Sequence, residues 1–211
     1  MVAAQFGLFD TPEWGPRFNI APGQPVAAIR CLAPGSTQRQ LAWLRWGLIP
    51  HWADDARIGN RLINARSEGV ASKPAFRIPL RRRRCLVLAD GFYEWKTMGR
   101  LRQPYFIRFR DDRVFALAGL WDVWEGPDHT AIESCTLLTT EPNRLVAQIH
   151  DRMPVILPPE HYATWLDPGI EDTARLLPML RPYAPDEMEA YAVARRVNSP
   201  SFDDPLCIQP A

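Results

Sequence analysis

The 21 prolines of this 211-residue chain are about twice the ~5% usual in globular proteins, and they fall between short apolar runs instead of gathering in one linker. Each fixes φ and removes a backbone donor, so the chain is expected to fold as many short elements. Eight runs, at 25–32, 41–49, 85–89, 92–96, 104–109, 114–121, 135–140 and 153–157, are β-branched or aromatic and bounded by Gly, Pro or Asp. They predict strands. Helices are predicted mostly late. The segment 142–148 opens on Pro142 after Glu141, 159–166 has Pro159 near its first turn, and 171–180 carries Ala174, Leu177 and Leu180 at helical spacing until Pro178 kinks or ends it.

With 46% hydrophobic residues the chain can bury one sizeable core, and no repeat, low-complexity tract or linker divides it. The expected architecture is α+β: a single domain over residues 1–211, with mostly antiparallel strands curled into a barrel-like core and helices packed outside. No run of 18 or more apolar residues occurs, and Met1-Val2-Ala3-Ala4-Gln5 has no basic segment leading into an apolar one. A soluble, cytoplasmic protein with no membrane partner is therefore expected. Cys31, Cys85, Cys135 and Cys207 show no CxxC pairing or short Cys/His spacing, which favours buried free thiols over a zinc site or a disulfide framework.

Net charge is only +1, yet residues 1–110 hold 18 Lys/Arg against 7 Asp/Glu, giving +11, and residues 111–211 hold 7 against 17, giving −10. Asymmetry of that size suggests a basic face for an anionic partner. Arg81-Arg82-Arg83-Arg84, with Lys73 and Arg77 just upstream, abuts the strand expected at Cys85, so alternate arginines would lie on one face, consistent with phosphate contacts. Trp46 and Trp52 flank Gly47-Leu48-Ile49-Pro50-His51, and an aromatic near basic residues suits base stacking, although core packing accounts for most of the tryptophans.

Three polar residues stand out. In Asp90-Gly91-Phe92-Tyr93-Glu94-Trp95-Lys96, strict alternation puts Phe92, Glu94 and Lys96 on one face and Tyr93 and Trp95 on the other. A carboxylate among three aromatics is partly desolvated, which raises its pKa and suits proton transfer near neutrality; a strand glutamate paired with Lys96 or an arginine fits the same stretch. His150 in Ile149-His150-Asp151-Arg152-Met153-Pro154 falls where a helix ends and an extended segment begins. It reads either as an acid or base oriented by Asp151, beside an arginine for a phosphate, or as a helix-terminus histidine. Asn64 in Leu62-Ile63-Asn64-Ala65-Arg66 is a polar residue in an apolar stretch, open to a ligand hydrogen bond or to a turn. His51, His129 and His161 read as structural.

Taken in register, Pro16-Arg17-Phe18-Asn19-Ile20-Ala21-Pro22, Trp46-Gly47-Leu48-Ile49-Pro50, Ile63-Asn64-Ala65-Arg66-Ser67-Glu68, Arg84-Cys85-Leu86-Val87, Ala89-Asp90-Gly91-Phe92-Tyr93-Glu94-Trp95-Lys96 and Ile149-His150-Asp151-Arg152-Met153-Pro154 resemble the SRAP family, the SOS-response-associated peptidase domain. The resemblance implies a sensor of abasic sites in single-stranded DNA that shields them by a covalent crosslink. In such proteins the cysteine after the initiator Met attacks the ring-opened sugar aldehyde with its amine and closes a thiazolidine with its thiol. It further implies that Glu94 assists ring opening, that His150 assists Schiff-base chemistry and crosslink reversal, and that Asn64 positions the terminal residue. Arg66 and Arg152 would hold phosphates, Trp52 and Pro22 would shape the groove, and Lys73 and Arg77 join the DNA-binding set. No metal, cofactor or obligate protein partner is implied.

The family pattern begins Met-Cys-Gly-Arg, whereas Val2 stands at the second position here. Met1 is accordingly expected to be an internal methionine, with the nucleophile upstream and the covalent step disabled in these 211 residues; a degenerate member that only binds DNA is the other possibility. Cys31 and Cys85 lack the free amine that thiazolidine closure requires. A thiol peptidase of the SOS response and a non-covalent single-stranded DNA-binding module are the competing functions.

Overall fold

A computed structural model of the chain describes residues 2–8, 15–36 and 38–211. The barrel strands are β1 (Pro25–Arg30), β2 (Gln40–Trp46), β4 (Arg84–Ala89), β7 (Phe115–Glu125) and β8 (Ala131–Thr140), with β3 (Asn64–Arg66) lying beside β8. Their order is β7-β4-β1-β2-β8, and β8 pairs back onto β7, so the sheet closes into a five-stranded barrel. All pairings within that ring are antiparallel except β2–β8. Short strands β9 (Met153–Pro154) and β10 (Ile156–Leu157) attach to β8 and β7. A second, three-stranded sheet has the order β11 (Met188–Ala192), β6 (Leu101–Phe109), β5 (Gly91–Met98). Around the barrel lie α1 (Val2–Phe6), α2 (Pro74–Arg82), α3 (Tyr162–Leu166) and α4 (Thr173–Leu176). The fold is α+β, a barrel flanked by helices.

Period-two alternation builds two cores from the same strands. Ala28, Leu44, Cys85, Val87, Leu117 and Cys135 point into the lumen and pack together. Ile29, Leu86, Ala116, Ala118 and Leu120 point outward and are covered by Phe6, Phe76 and Leu80, and by Trp165 and Leu176. That double burial explains why β7 is buried along nearly its whole length.

All eight expected strand regions carry strand structure, and the differences have local causes. The segment expected at 41–49 stops at Trp46 because Gly47 turns at φ +127, and a Cβ there would lie 2.6 Å from the Gly59 carbonyl oxygen. That conformation and close approach suit glycine alone. The helix expected at 142–148 is a single tight turn, Val146–Gln148; the Asn143 side-chain oxygen Oδ1 accepts from the amides of Leu145 and Val146 and competes with a regular helix start. The helices expected at 159–166 and 171–180 form as short 3-10 and α segments.

The arginine run does not face a ligand. It ends α2, which has Pro74 in its first turn and tolerates Pro79 inside, and then enters β4. Arg84 is buried, with its guanidinium donating to the carbonyls of Leu80, Arg81, Trp165 and Asp167; burial lowers its pKa to about 10. Arg83 pairs with the buried Asp122, and Arg81 and Arg82 pair with Glu171. The alternate-arginine phosphate face expected from the sequence is thus consumed by internal partners.

A strap over residues 16–22 is tied to the C-terminal segment through one buried side chain. Asn19 Nδ2 donates to the carbonyls of Val197, Ser199 and Phe202 at 3.0–3.1 Å, while the Asp203 carboxylate receives the amides of Phe18 and Asn19. Replacing Asn19 by Ala strands three carbonyls at roughly 1 kcal/mol each at most. Asn19→Ala is expected to cost about 2 kcal/mol, read as a lower urea midpoint with unchanged m-value; an unchanged midpoint would show the strap to be held elsewhere.

Candidate active site

Strand β4 leaves the barrel and, after Asp90, becomes β5 of the second sheet. The crossing is tight: a Cβ on Gly91 would sit 2.1 Å from the Phe106 ring. Beyond it, Tyr93 and Trp95 pack with Phe106, Val193 and Val197, while Phe92 packs against the lumen cluster, the two-faced arrangement that alternation predicts. Glu94 therefore emerges on an edge strand at the barrel mouth, where a cavity of about 850 Å³ is lined by Pro22, Trp43, Asn64, Glu94, Leu117 and Asn198 among others.

The Glu94 side chain is only 20% exposed. Burial lifts its carboxyl from the usual 4.5 to about 7; Asp151 adds to the rise, and the His150 ring and the Arg102 guanidinium oppose it. His150 Nδ1 lies 3.5 Å from Glu94 Oε2 and 3.5 Å from Asp151 Oδ1. The same nitrogen is 3.2 Å from both the amide nitrogen and the carbonyl oxygen of Arg152. A neutral ring can thus accept the Arg152 N–H, and a protonated one can donate to the Arg152 carbonyl or toward Glu94. Glu94, with its carboxyl at about 7, can give or take a proton near neutrality, and the His150 ring lies beside it. Asn64, exposed at the start of β3 and paired in register with Leu137, supplies an amide to the same cavity.

Other residues singled out by the sequence fall elsewhere. Arg152 is bound to Glu68 through both terminal nitrogens, at 2.6 and 3.0 Å, and donates to the Thr139 carbonyl at 2.6 Å. Those bonds hold the Glu68 carboxyl down to about 2. Arg152 thereby joins the turn after β3 to the loop that carries His150. Arg66, Lys73 and Arg77 are exposed, as is Trp52 at 51%. None of these five lines the cavity, whereas Pro22 does. His51 Nδ1 is held 3.0 Å from Asp122.

Arg102 and Asn198 belong to the cavity wall and escape sequence reading. Arg102 reaches it through its register opposite Thr97, and Asn198 by accepting from Trp95 Nε1 at 2.8 Å; neither relation shows in a local pattern. All four cysteines are buried. Burial pushes the Cys135 thiol up to about 12 and raises Cys31 and Cys85 as well, so these three are poor nucleophiles.

The raised carboxyl makes a stability prediction. Because folding lifts the Glu94 pKa from 4.5 to about 7, its contribution is fully present below pH 4.5 and is lost as pH rises through 7. Glu94→Gln removes that loss. The variant should match the unchanged chain near pH 4 and exceed it at pH 8 by up to about 3 kcal/mol, taking 1.36 kcal/mol per pKa unit as the ceiling. Melting temperatures across that range test it, and parallel curves would refute the raised carboxyl.

The model of the SOS response associated peptidase (SRAP) family matches residues 2–200. The chain is 45% identical over 198 residues to the abasic site processing protein YoqW of Bacillus subtilis (strain 168), spanning 93% of this chain and 87% of that protein. It is 32% identical to the abasic site processing protein HMCES of Mus musculus, spanning 96% of this chain and 67% of that protein. A crystal structure of a Bacteroides thetaiotaomicron protein superposes with a TM-score of 0.78 at 30% identity, over 90% of this chain and 82% of that one. One from Bordetella bronchiseptica gives 0.76 at 28%, over 92% and 94%. With the family pattern matched across nearly its whole length, this chain belongs to the SRAP family.

Proposed function

We propose that this site processes abasic sites in single-stranded DNA. The observation that carries the reading is Glu94, its carboxyl at about 7, in an aromatic-walled cavity that Asn64 also lines, with the His150 ring 3.5 Å away. An abasic sugar exists chiefly as a closed hemiacetal, and opening it requires a proton to leave the C1′ hydroxyl while one reaches the ring oxygen. A carboxyl that is half protonated near neutral pH serves either transfer, and a histidine within reach exchanges the proton with it. The relatives named for abasic site processing support the same reading.

The covalent step we assign to an N-terminal cysteine of the family pattern. Its amine adds to the C1′ aldehyde, water leaves to give the Schiff base, and the thiol adds across the C=N bond to close a thiazolidine; no electrons are exchanged with an outside acceptor. Asn64 positions that residue, His150 moves the protons of Schiff-base formation and of reversal, and Arg66, Lys73 and Arg77 carry the backbone phosphates, with Trp52 and Pro22 bordering the strand. Arg152, engaged by Glu68, takes a phosphate only by exchanging that partner. A non-covalent binding module is the second reading, favoured by the burial of all four cysteines.

The 211-residue chain beginning Met1-Val2 is compared with a form carrying ahead of Val2 the leading segment of a SRAP relative that starts Met-Cys-Gly-Arg. On single-stranded DNA with one abasic site, the extended form is expected to give an adduct stable in a denaturing gel and the 211-residue chain none. Glu94→Gln in the extended form should slow adduct formation about a hundredfold, the lower end of the range for loss of an acid–base group. An extended form that binds abasic DNA without forming an adduct would favour the binding module, and one that does neither would end the proposal.

A further inference from the structure

The face of β5 that carries Glu94 continues outward beyond the cavity. Cross-strand register pairs Glu94 with Tyr105, Lys96 with Gln103 and Met98 with Leu101, so these pairs share one side of the β5–β6 hairpin. At about 3.4 Å per residue, Lys96 stands roughly 7 Å and Met98 roughly 14 Å along the strand from Glu94. The tip is apolar and open: Met98 is 56% and Leu101 52% exposed, joined across Gly99. It is also wholly cationic. Lys96, Arg100 and Arg102 are the charged residues of 96–102, and none of them makes a hydrogen bond or ion pair among the described residues. Arg102, on the opposite face beside Thr97, borders the cavity and is felt by Glu94.

Two apolar side chains displayed between unpaired cations, in line with the site, match the chemistry of a polyanion whose bases offer apolar faces. Such surfaces hold a strand by phosphate contacts from Lys and Arg and by stacking or wedging against apolar side chains. The geometry points to the β5–β6 hairpin as a second contact for the single strand, engaging the nucleotides on one side of the lesion: Lys96 and Arg100 on phosphates, Met98 and Leu101 against a base. This rests on the DNA reading of the site. Arg102, one pair in from the tip and bordering the cavity, is placed to take the phosphate nearest Glu94.

Binding of fluorescent single strands containing tetrahydrofuran, an abasic analogue without an aldehyde, isolates recognition from the covalent step. Three strands are used: one long on both sides of the analogue, one cut back on its 5′ side and one on its 3′ side. For the long strand, Lys96→Ala with Arg100→Ala should weaken binding about tenfold and lower the slope of log K against log salt by about 1.4, the value for two single-strand phosphate contacts. Met98→Ser with Leu101→Ser should weaken binding about tenfold, in the range of one lost stacking contact, with the slope unchanged. Both effects should vanish on one cut-back strand and persist on the other. Melting temperatures of both variants should equal that of the unchanged chain, since the tip is exposed. Variants that bind all three strands normally would overturn the hairpin contact while leaving the site intact, and would point instead to a protein partner. An unchanged chain that fails to bind the long strand would sink the DNA reading and the hairpin with it.

Discussion

Closure of the barrel through β7 is the constraint on which everything else depends. β7 is hydrogen-bonded on both edges, to β4 and to β8, so the strands carrying the site cannot shift register without opening the ring. A ring of only five strands encloses little volume. Its lumen accordingly mixes small residues, Ala28, Ala42, Cys85 and Cys135, with Leu44, Val87 and Leu117, and a Cβ on Gly119 would meet Cys85 Sγ at 2.8 Å. The central thiols are fillers of a narrow space, which is why burial raises them out of the reactive range. Larger side chains, Trp43, Trp46 and Phe92 among them, line the cavity at its mouth. There β4 runs on into β5 past Gly91, and the edge of the second sheet faces the cavity.

Two carboxylates show what that placement does. Asp122 is almost wholly buried, yet it receives the His51 amide and ring nitrogen, the Val123 amide and the Arg83 guanidinium. Its charge is satisfied and it serves the fold. Glu94 is less buried but is offered only the Trp95 amide, a histidine ring at 3.5 Å and a more distant guanidinium. Desolvation without compensation makes it protonatable near neutrality. The difference between a structural and a reactive acid here lies in the number of donors facing it, and the cost is stability given up at the site.

Much of this architecture was legible because alternation is a strong signal where strands are buried on both faces. The runs at 85–89 and 114–121 read as strands without ambiguity, and the two-faced packing of Phe92, Glu94, Tyr93 and Trp95 followed from the same rule. Elements decided by tertiary contacts were not legible. Among the described residues β3 is a three-residue strand paired only with β8, and β11 pairs solely with β6; neither has enough sequence of its own to declare itself. α2 was hidden by Pro79 and by arginines whose partners lie far along the chain. For the site, Asn64, Glu94 and His150 gained force only from their joint pattern, and the structure adds that Glu94 and His150 touch and that Asn64 shares Glu94's cavity. Arg152 illustrates the opposite case, since nothing local announces that Glu68 holds it.

The charge asymmetry between the halves takes on a different meaning in three dimensions. Arg17 pairs with Asp203, Arg30 with Glu133, Arg81 and Arg82 with Glu171, Arg83 with Asp122, and Arg108 and Arg110 with Glu189. The basic half and the acidic half are therefore largely each other's counterions, and most of the apparent surplus stitches the chain together instead of forming a basic face. What an anionic partner meets is the remainder. Among the described residues, the side chains of Arg61, Arg66, Lys73, Arg77, Lys96, Arg100, Arg102, Arg175, Arg181, Arg195 and Arg196 make no hydrogen bond or ion pair. Seven of them fall in two groups, four around β3 and the start of α2 and three in the β5–β6 hairpin, and the other four lie late in the chain. Asn64 lies within the first group and Glu94 precedes the second along β5, so seven of these cations belong to the two segments that carry those polar groups of the site.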